Sequence, residues 1–298
     1  MSWKLSAITS REAVEQALDR AEGWDEALVL AAFEVDPDAP DVWQLDAYCE
    51  DEPGDSERAA VAALFEGDVP EIKAEELPDA DWVSESQKGA QPIRAGRFYV
   101  HTPEHPASEE AGVTSFCIPA AQAFGTGQHA TTAGCLEMLD TMRGDGIMPH
   151  TVADIGTGTG LLAFAARDLW PRARYTVSDI DPLCTEAVID NALRNRIPLG
   201  TEPGKVAAMT AEGMDHALLH ARAPYDLLIA NILAAPLIEL APDFAAALAP
   251  RGSVLLAGLL ATQESTVRRA YRRHGLRLHK RIQRGDWSIL WLRARYVG

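Results

Sequence analysis

Along residues 3–77 apolar and polar positions alternate with a short period, and the alternation changes from strand-like to helical at recognisable punctuation. Trp3 to Thr9 reads as a strand, and Ser10 is placed to cap a helix running through Ala21, with Val14, Ala17, Leu18 and Ala21 on one face. Ala27 to Val35 and Val42 to Cys49 read as strands joined by the turn-forming Asp36-Pro37-Asp38-Ala39-Pro40. Ser56 to Phe65 is a second helix, with Ala59, Ala60, Ala63 and Leu64 as its apolar positions, and Glu71 to Leu77 is a polar fourth strand. The order is β-α-β-β-α-β, which predicts a small ferredoxin-like α+β domain over residues 1–83.

Residues 84–118 read as a connection. Ser84 to Gly96 is polar, Arg97-Phe98-Tyr99-Val100 is a short strand-like segment, His101 to Gly112 is loop, and a hinge between the domains is expected near residues 84–100. From residue 119 to the C-terminal end the pattern becomes apolar runs separated by helical stretches. The runs are Val152–Ile155, Tyr175–Asp179, Val206–Met209, Asp226–Ala230, Ser253–Ala257, Leu278–Gln283 and Ser288–Arg293, the last two forming a hairpin. Seven strands with intervening helices predict a doubly wound α/β sheet, whose ligands bind beyond the carboxyl ends of the strands. Gly156, Asp179 and Asn231 all fall at such ends.

The stretch from Val152 to Gly160 is the richest in chemistry. An apolar run ends in Asp154, three alternating glycines follow (Gly156, Gly158, Gly160), and a buried helix face begins at Leu161. The next strand ends in Asp179, placed to accept the two hydroxyls of a ribose. Together these features predict a nucleoside site. A dinucleotide fingerprint would need G-x-G-x-x-G, but its third glycine position is occupied here by Leu161. Asp154 would also be a poor neighbour for a pyrophosphate. It suits an amine or a sulfonium, and S-adenosyl-L-methionine carries both and no phosphate.

Charge divides the chain. Its net −17 comes from residues 1–90, where 24 Asp and Glu face 6 Lys and Arg, whereas residues 91–298 hold 20 against 21. An acidic first domain should repel nucleic acid and attract a basic partner. The four cysteines, Cys49, Cys117, Cys135 and Cys184, are far apart and lack zinc spacing, which fits free thiols in a reducing cytoplasm. No apolar run approaches membrane-spanning length, and the N-terminus lacks a signal-peptide core.

Two further motifs complete the picture: Ala123-Phe124-Gly125-Thr126-Gly127-Gln128-His129-Ala130-Thr131-Thr132 ahead of the glycine loop, and Asn231-Ile232-Leu233 after the fourth strand of the sheet. With Asp154 to Gly160 and Asp179-Ile180-Asp181 they make the chain resemble the PrmA-type methyltransferases, which act on the eleventh protein of the large ribosomal subunit. The resemblance extends to Pro92–Arg97 and to nearly the whole chain. It implies a Rossmann-like S-adenosylmethionine-dependent methyltransferase domain over residues 119–298, with cofactor contacts at Thr132, Gly156, Asp179 and Asn231. It also implies a small domain that captures the ribosomal protein, and methylation of lysine side chains and of the N-terminal amine. Gln128 and Ala130, beside Thr132, depart from the family pattern, as does Ala121, which stands where a glycine is common.

Asp154, Gly158 and Phe124 join the candidate cofactor residues. Phe124 either covers an adenine or packs in the core. Asn231 is the candidate catalytic residue, its side-chain oxygen and nearby carbonyls orienting the amine; the alternative is a residue that merely ends a strand. His129 reads as a loop-bracing histidine, and His216 with His220 as a packed or solvated pair with no third metal ligand. The basic stretch Arg268, Arg269, Arg272, Arg273, Arg277, Lys280, Arg281 and Arg284 supports a rival, a methyltransferase acting on RNA or on another basic protein. Without interleaved aromatics, a solvated face explains it equally, and direct nucleic-acid binding is not expected. A second rival is an assembly factor that keeps the fold without turnover.

Overall fold

The computed structural model describes residues 2–21, 29–35, 41–49, 52–67, 69–77, 92–119 and 128–294. The chain divides into two compact units, Met1–Glu85 and Ser86–Gly298. The expected turn at Asp36–Pro40, residues 84–91 of the expected hinge, Ala121 and Phe124 lie outside the described residues.

In the first unit the elements are β1 (Ser2–Ser10), α1 (Arg11–Arg20), β2 (Val29–Glu34), β3 (Val42–Cys49), α2 (Asp55–Ala63) and β4 (Ile72–Leu77). The strands form one sheet in the order β2-β3-β1-β4, with every neighbouring pair antiparallel. Alternation places Leu5 opposite Ala47 and Ala7 opposite Leu45, and all four are fully buried. Ser10 caps α1, its Oγ accepting from the Ala13 amide at 3.3 Å. Val14 and Ala17 of α1 complete one side of the core. The face of α2 differs from its sequence pattern. Val61, Leu64 and Phe65 point inward while Ala59 and Ala63 are exposed. The larger side chains take the buried face because each removes more apolar area from water than an alanine does.

The second unit begins with a three-stranded sheet, β5 (Ile93–Ala95), β6 (Phe98–His101) and β7 (Thr114–Cys117). These strands lie within the stretch that reads as a connection. Their buried side chains Ile93, Phe98, Val100 and Phe116 belong to the core of the second unit. The side chain of Asn195 fastens β7, donating to the Cys117 carbonyl at 2.9 Å and accepting from its amide at 2.7 Å.

The remaining elements are α3 (Gln128–Gly144), β8 (Thr151–Ile155), α4 (Leu161–Leu169), β9 (Arg174–Asp179), α5 (Pro182–Arg194), β10 (Val206–Thr210), α6 (Ala217–Arg222), β11 (Tyr225–Asn231), α7 (Ala234–Glu239), α8 (Ala241–Ala247), β12 (Leu248–Leu260), α9 (Glu264–Arg273), β13 (Leu276–Arg284) and β14 (Trp287–Ala294). Seven strands form a sheet in the order β10-β9-β8-β11-β12-β14-β13. From β10 to β12 the neighbours are parallel, and β14 and β13 add antiparallel.

The near-continuous apolar runs follow from burial on both faces. Val152, Leu227 and Ile229 enter the core layer containing α3 and α4, while Ala153, Ile155, Leu228 and Ala230 enter the layer containing α7, α8 and α9. Strand order reverses at β8, with β9 on one side and β11 on the other. A crevice therefore opens between the carboxyl ends of β8 and β11. Among the described residues, no helix is long and apolar enough to cross a membrane.

Candidate active site

The loop after β8 is shaped by its glycines. Gly156, Gly158 and Gly160 have φ of 69°, 53° and 84°, a left-handed backbone that other residues enter at a cost. Their surroundings differ. A Cβ on Gly156 would lie 2.2 Å from Cγ2 of Ile232, and one on Gly160 2.7 Å from the Phe164 ring, whereas one on Gly158 would meet nothing within 4 Å. Two glycines thus make room for protein, and Gly158 faces open space.

Hydrogen bonds hold this loop against the end of β9. The amides of Gly156 and Thr157 donate to the Ser178 carbonyl at 2.8 and 3.0 Å. The Gly158 amide donates to Oδ2 of Asp179 at 2.8 Å, and Oδ1 accepts from the Asp181 amide at 3.2 Å. The Cys184 thiol also donates to this carboxylate, and the lone pairs that remain are available to a ligand. From below, buried Asn191 donates to the Thr159 carbonyl at 3.2 Å.

Asp154, 1% exposed, lies under the loop. Its Oδ2 accepts from the Thr157 hydroxyl at 2.8 Å, and its Oδ1 is buried without a hydrogen-bond partner among the described residues. Burial pushes its pKa up to about 7; the Thr157 hydroxyl and the Ala163 amide work against that rise and the Asp179 charge adds to it. An orphaned buried carboxylate oxygen is costly, and a cationic ligand group would satisfy it. The residues present therefore fit a nucleoside joined to an ammonium or sulfonium.

At the adjacent strand end, Asn231 is half-buried and pairs in register with Ala257 of β12. The following turn is gripped by shape. Gly258 has φ of 83°, and a Cβ there would lie 2.3 Å from the Ile232 carbonyl oxygen and 2.9 Å from its nitrogen. Ile232 is thus held by Gly156 against its side chain and by Gly258 against its backbone. Ile180, Leu183 and Leu233 are each more than two-thirds exposed at these strand ends, an unusual position for large apolar side chains.

The site thus gathers Asp154, Gly156, Gly158 and Asp179, with Asn231 at the neighbouring strand end. Thr132 stands apart from the loop's hydrogen bonds. It is half-buried near the start of α3, which packs against α4, β11 and β12. The side chains of Gln128 and His129 lie outside the described residues. His216 caps α6, its Nδ1 accepting from the Leu218 amide at 3.1 Å, and His220 is exposed. Among the described residues no group of three His, Cys, Asp or Glu could hold a metal ion.

A family model described as "Ribosomal protein L11 methyltransferase (PrmA)" matches residues 3–295. The chain belongs to this family. Curated relatives named ribosomal protein L11 methyltransferase include those of Rhizobium rhizogenes, 39% identical over 97% of this chain and 98% of that protein, and of Brucella suis, 37% identical over 97% and 96%. Among solved structures, a ribosomal protein L11 methylase from Lactobacillus delbrueckii subsp. bulgaricus matches with a TM-score of 0.59. At 24% identity over 69% of this chain and 100% of that one, it speaks for the fold.

Within the family's framework, four residues of the site escape a reading of motifs. Thr157, Ser178, Asn191 and Gly258 act on the loops rather than on a ligand, and three of them carry no local signature. Gly258 does: a glycine inside the apolar run Leu255–Leu260 marks a place where another backbone approaches closely.

Proposed function

We propose that this chain is an S-adenosylmethionine-dependent protein N-methyltransferase acting in the cytoplasm on ribosomal protein L11, at lysine side chains and the N-terminal amine. The observation that carries the reading is the pairing of the orphaned Asp154 oxygen with the Asp179-braced glycine loop, beside Asn231 at the reversal of strand order. S-adenosylmethionine supplies a methyl group already activated by its sulfonium. Asp154 would hold its cationic end, Asp179 its ribose hydroxyls, Gly158 would leave room for its close approach, and Thr132 and Phe124 would flank it.

What the protein must add is orientation and a neutral amine. A free lysine, with pKa ~10.4, costs about 4–5 kcal/mol to present neutral at pH 7, and an α-amine near ~8 about 1 kcal/mol. Desolvation at the crevice and a neighbouring positive charge lower that cost. The Asn231 side-chain oxygen and the carbonyls of Asn231 and Ile232 are the acceptors that would turn the amine's hydrogens away and its lone pair toward the methyl. Exposed Leu233 is placed to cover the methylenes of a lysine.

On this reading the first unit is a ferredoxin-like recruiting domain, and the second is a doubly wound seven-stranded methyltransferase domain. The acidity of residues 1–90 supports capture of a basic protein by steering. Intact-mass spectrometry of free ribosomal protein L11, incubated with the enzyme and S-adenosylmethionine, tests the proposal. A ladder of methyl additions that disappears in Asp179→Ala is expected. Cofactor binding without any addition would remove the substrate assignment.

A further inference from the structure

The basic stretch near the C-terminal end divides in the fold. Arg268 and Arg281 both pair with buried Glu264, at 2.9 and 3.2 Å; Lys280 pairs with Asp145 at 3.2 Å, and Arg284 with Glu137. Arg269, Arg272 and Arg277 have no carboxylate partner among the described residues. Together with Arg268 they line one groove of about 430 Å³, whose remaining walls are Ser265, Leu276, Leu278 and Leu292. On α9, residues 265, 268, 269 and 272 fall on a single face, and Arg268 and Arg272 stand one turn apart, about 6 Å along the axis. Gathering like charges around a concavity is unfavourable unless an anion enters it.

We infer that this groove binds the phosphodiester backbone of RNA. Arginine carries all the groove's charge, and its planar fork meets phosphate oxygens two at a time. The occupant must gain most of its affinity from charge. Leu276 and Leu292 are 2% and 1% exposed, which leaves the half-buried Leu278 alone and no apolar pocket deep enough to anchor a peptide side chain. No aromatic residue lines the groove, so bases have nothing to stack on and recognition is independent of sequence. The chain's net −17 does not forbid this. The excess sits in residues 1–90, and residues 91–298, which hold the groove, carry 20 Asp and Glu against 21 Lys and Arg. Phosphate as the ligand follows from the groove itself; RNA as its source rests on the proposed work on a ribosomal protein, whose surroundings are RNA.

The test is fluorescence anisotropy of a labelled, unstructured 20-nucleotide RNA with the full-length protein, at 50 and 200 mM salt. Phosphate contacts from the three arginines without a carboxylate partner predict a log–log salt slope of about −2, which is an affinity loss of about twentyfold over that range. Arg269→Glu/Arg272→Glu should shrink that loss to about threefold and weaken binding at 50 mM salt at least tenfold. Arg172→Glu/Arg174→Glu, the same charge change outside the groove, should do neither. Both variants should keep the wild-type circular dichroism and methylate the free ribosomal protein normally, so failure of the groove and failure of the methyltransferase reading are separable. No RNA binding at 50 mM salt, equal losses in the two variants, or displacement of RNA by poly-glutamate at matched charge would each overturn the inference.

Discussion

Two neighbouring strand ends form the candidate site, and they are held by different physics. The loop after β8 is fastened by hydrogen bonds, from Gly158 to Asp179, from Thr157 to Asp154 and from Asn191 to Thr159. The turn after β11 is fastened by fit, with Ile232 between the missing side chains of Gly156 and Gly258. The first arrangement responds to charge and protonation. The second responds only to volume. A site built this way can bind a charged ligand at one strand end while the adjacent carbonyls stay in place.

Breaking the charged anchor should have the largest effect. Asp179→Ala removes the acceptor of the Gly158 amide and the proposed acceptor of the ribose hydroxyls. With hydrogen bonds to charged groups worth ~1.5–3 kcal/mol each, S-adenosylmethionine affinity should fall at least a hundredfold by calorimetry. An unchanged Kd would show that the loop needs no carboxylate.

Breaking the fitted turn comes next. Gly258→Ala and Gly156→Ala each place a Cβ in left-handed backbone and against Ile232, a combined cost of about 3 kcal/mol in urea unfolding. The two should then separate. Ile232→Ala, added to Gly156→Ala, removes the clashing Cγ2 and should restore much of the loss. It should restore nothing to Gly258→Ala, whose clash is with backbone. Equal rescue of both would mean that Ile232 is not gripped as described.

Asp154 sharpens the comparison through pH. Its folded pKa near 7 lies above the ordinary carboxylate value, so between about pH 4 and 7 the folded chain keeps a proton that the unfolded chain has lost. Stability of the ligand-free protein should therefore fall as pH rises through that window, by at most about 1.4 kcal/mol per pH unit from this group, and Asp154→Asn should flatten the slope. A cationic ligand prefers the ionised carboxylate, so S-adenosylmethionine affinity should rise as pH climbs toward 7 and level off above it in the wild type, but not in Asp154→Asn. The smallest effect is expected from Leu233→Ala. It should raise KM for the protein substrate a few-fold, leave cofactor affinity unchanged, and be read in initial rates.

A mixed α/β fold with a large, mostly parallel sheet was legible because strands buried on both faces read as apolar runs. The Gly156–Gly160 loop and the acid at Asp179 were legible for a related reason, since turn glycines and a carboxylate at a strand tip are local features. The face of α2 was not. Ala59, Ala60, Ala63 and Leu64 suggested one stripe, and of these only Leu64 reaches the core, where Val61 and Phe65 take the place of the alanines. Within residues 84–118, which read as a connection, only the strand-like segment Arg97–Val100 was legible; the strands at Ile93–Ala95 and Thr114–Cys117 are too short for a period to emerge, yet Phe98 and Phe116 anchor this sheet in the second unit's core.

Local pattern by itself determined that a strand, a glycine turn and a helix would present Asp154 and Asp179 at the glycine loop, because each rests on a few consecutive residues. Only the tertiary structure decided that Asp154 is buried with one oxygen unpartnered, or that Gly258 presses on Ile232 from 26 positions away. It alone divided one basic stretch into residues with and without a carboxylate partner among the described residues, since Asp145 and Glu137, far away in sequence, reach Lys280 and Arg284 but not Arg269, Arg272 or Arg277. Burial, steric contact and ion pairing depend on which distant segments meet, and the chain sets that only once its sheets and helices have packed.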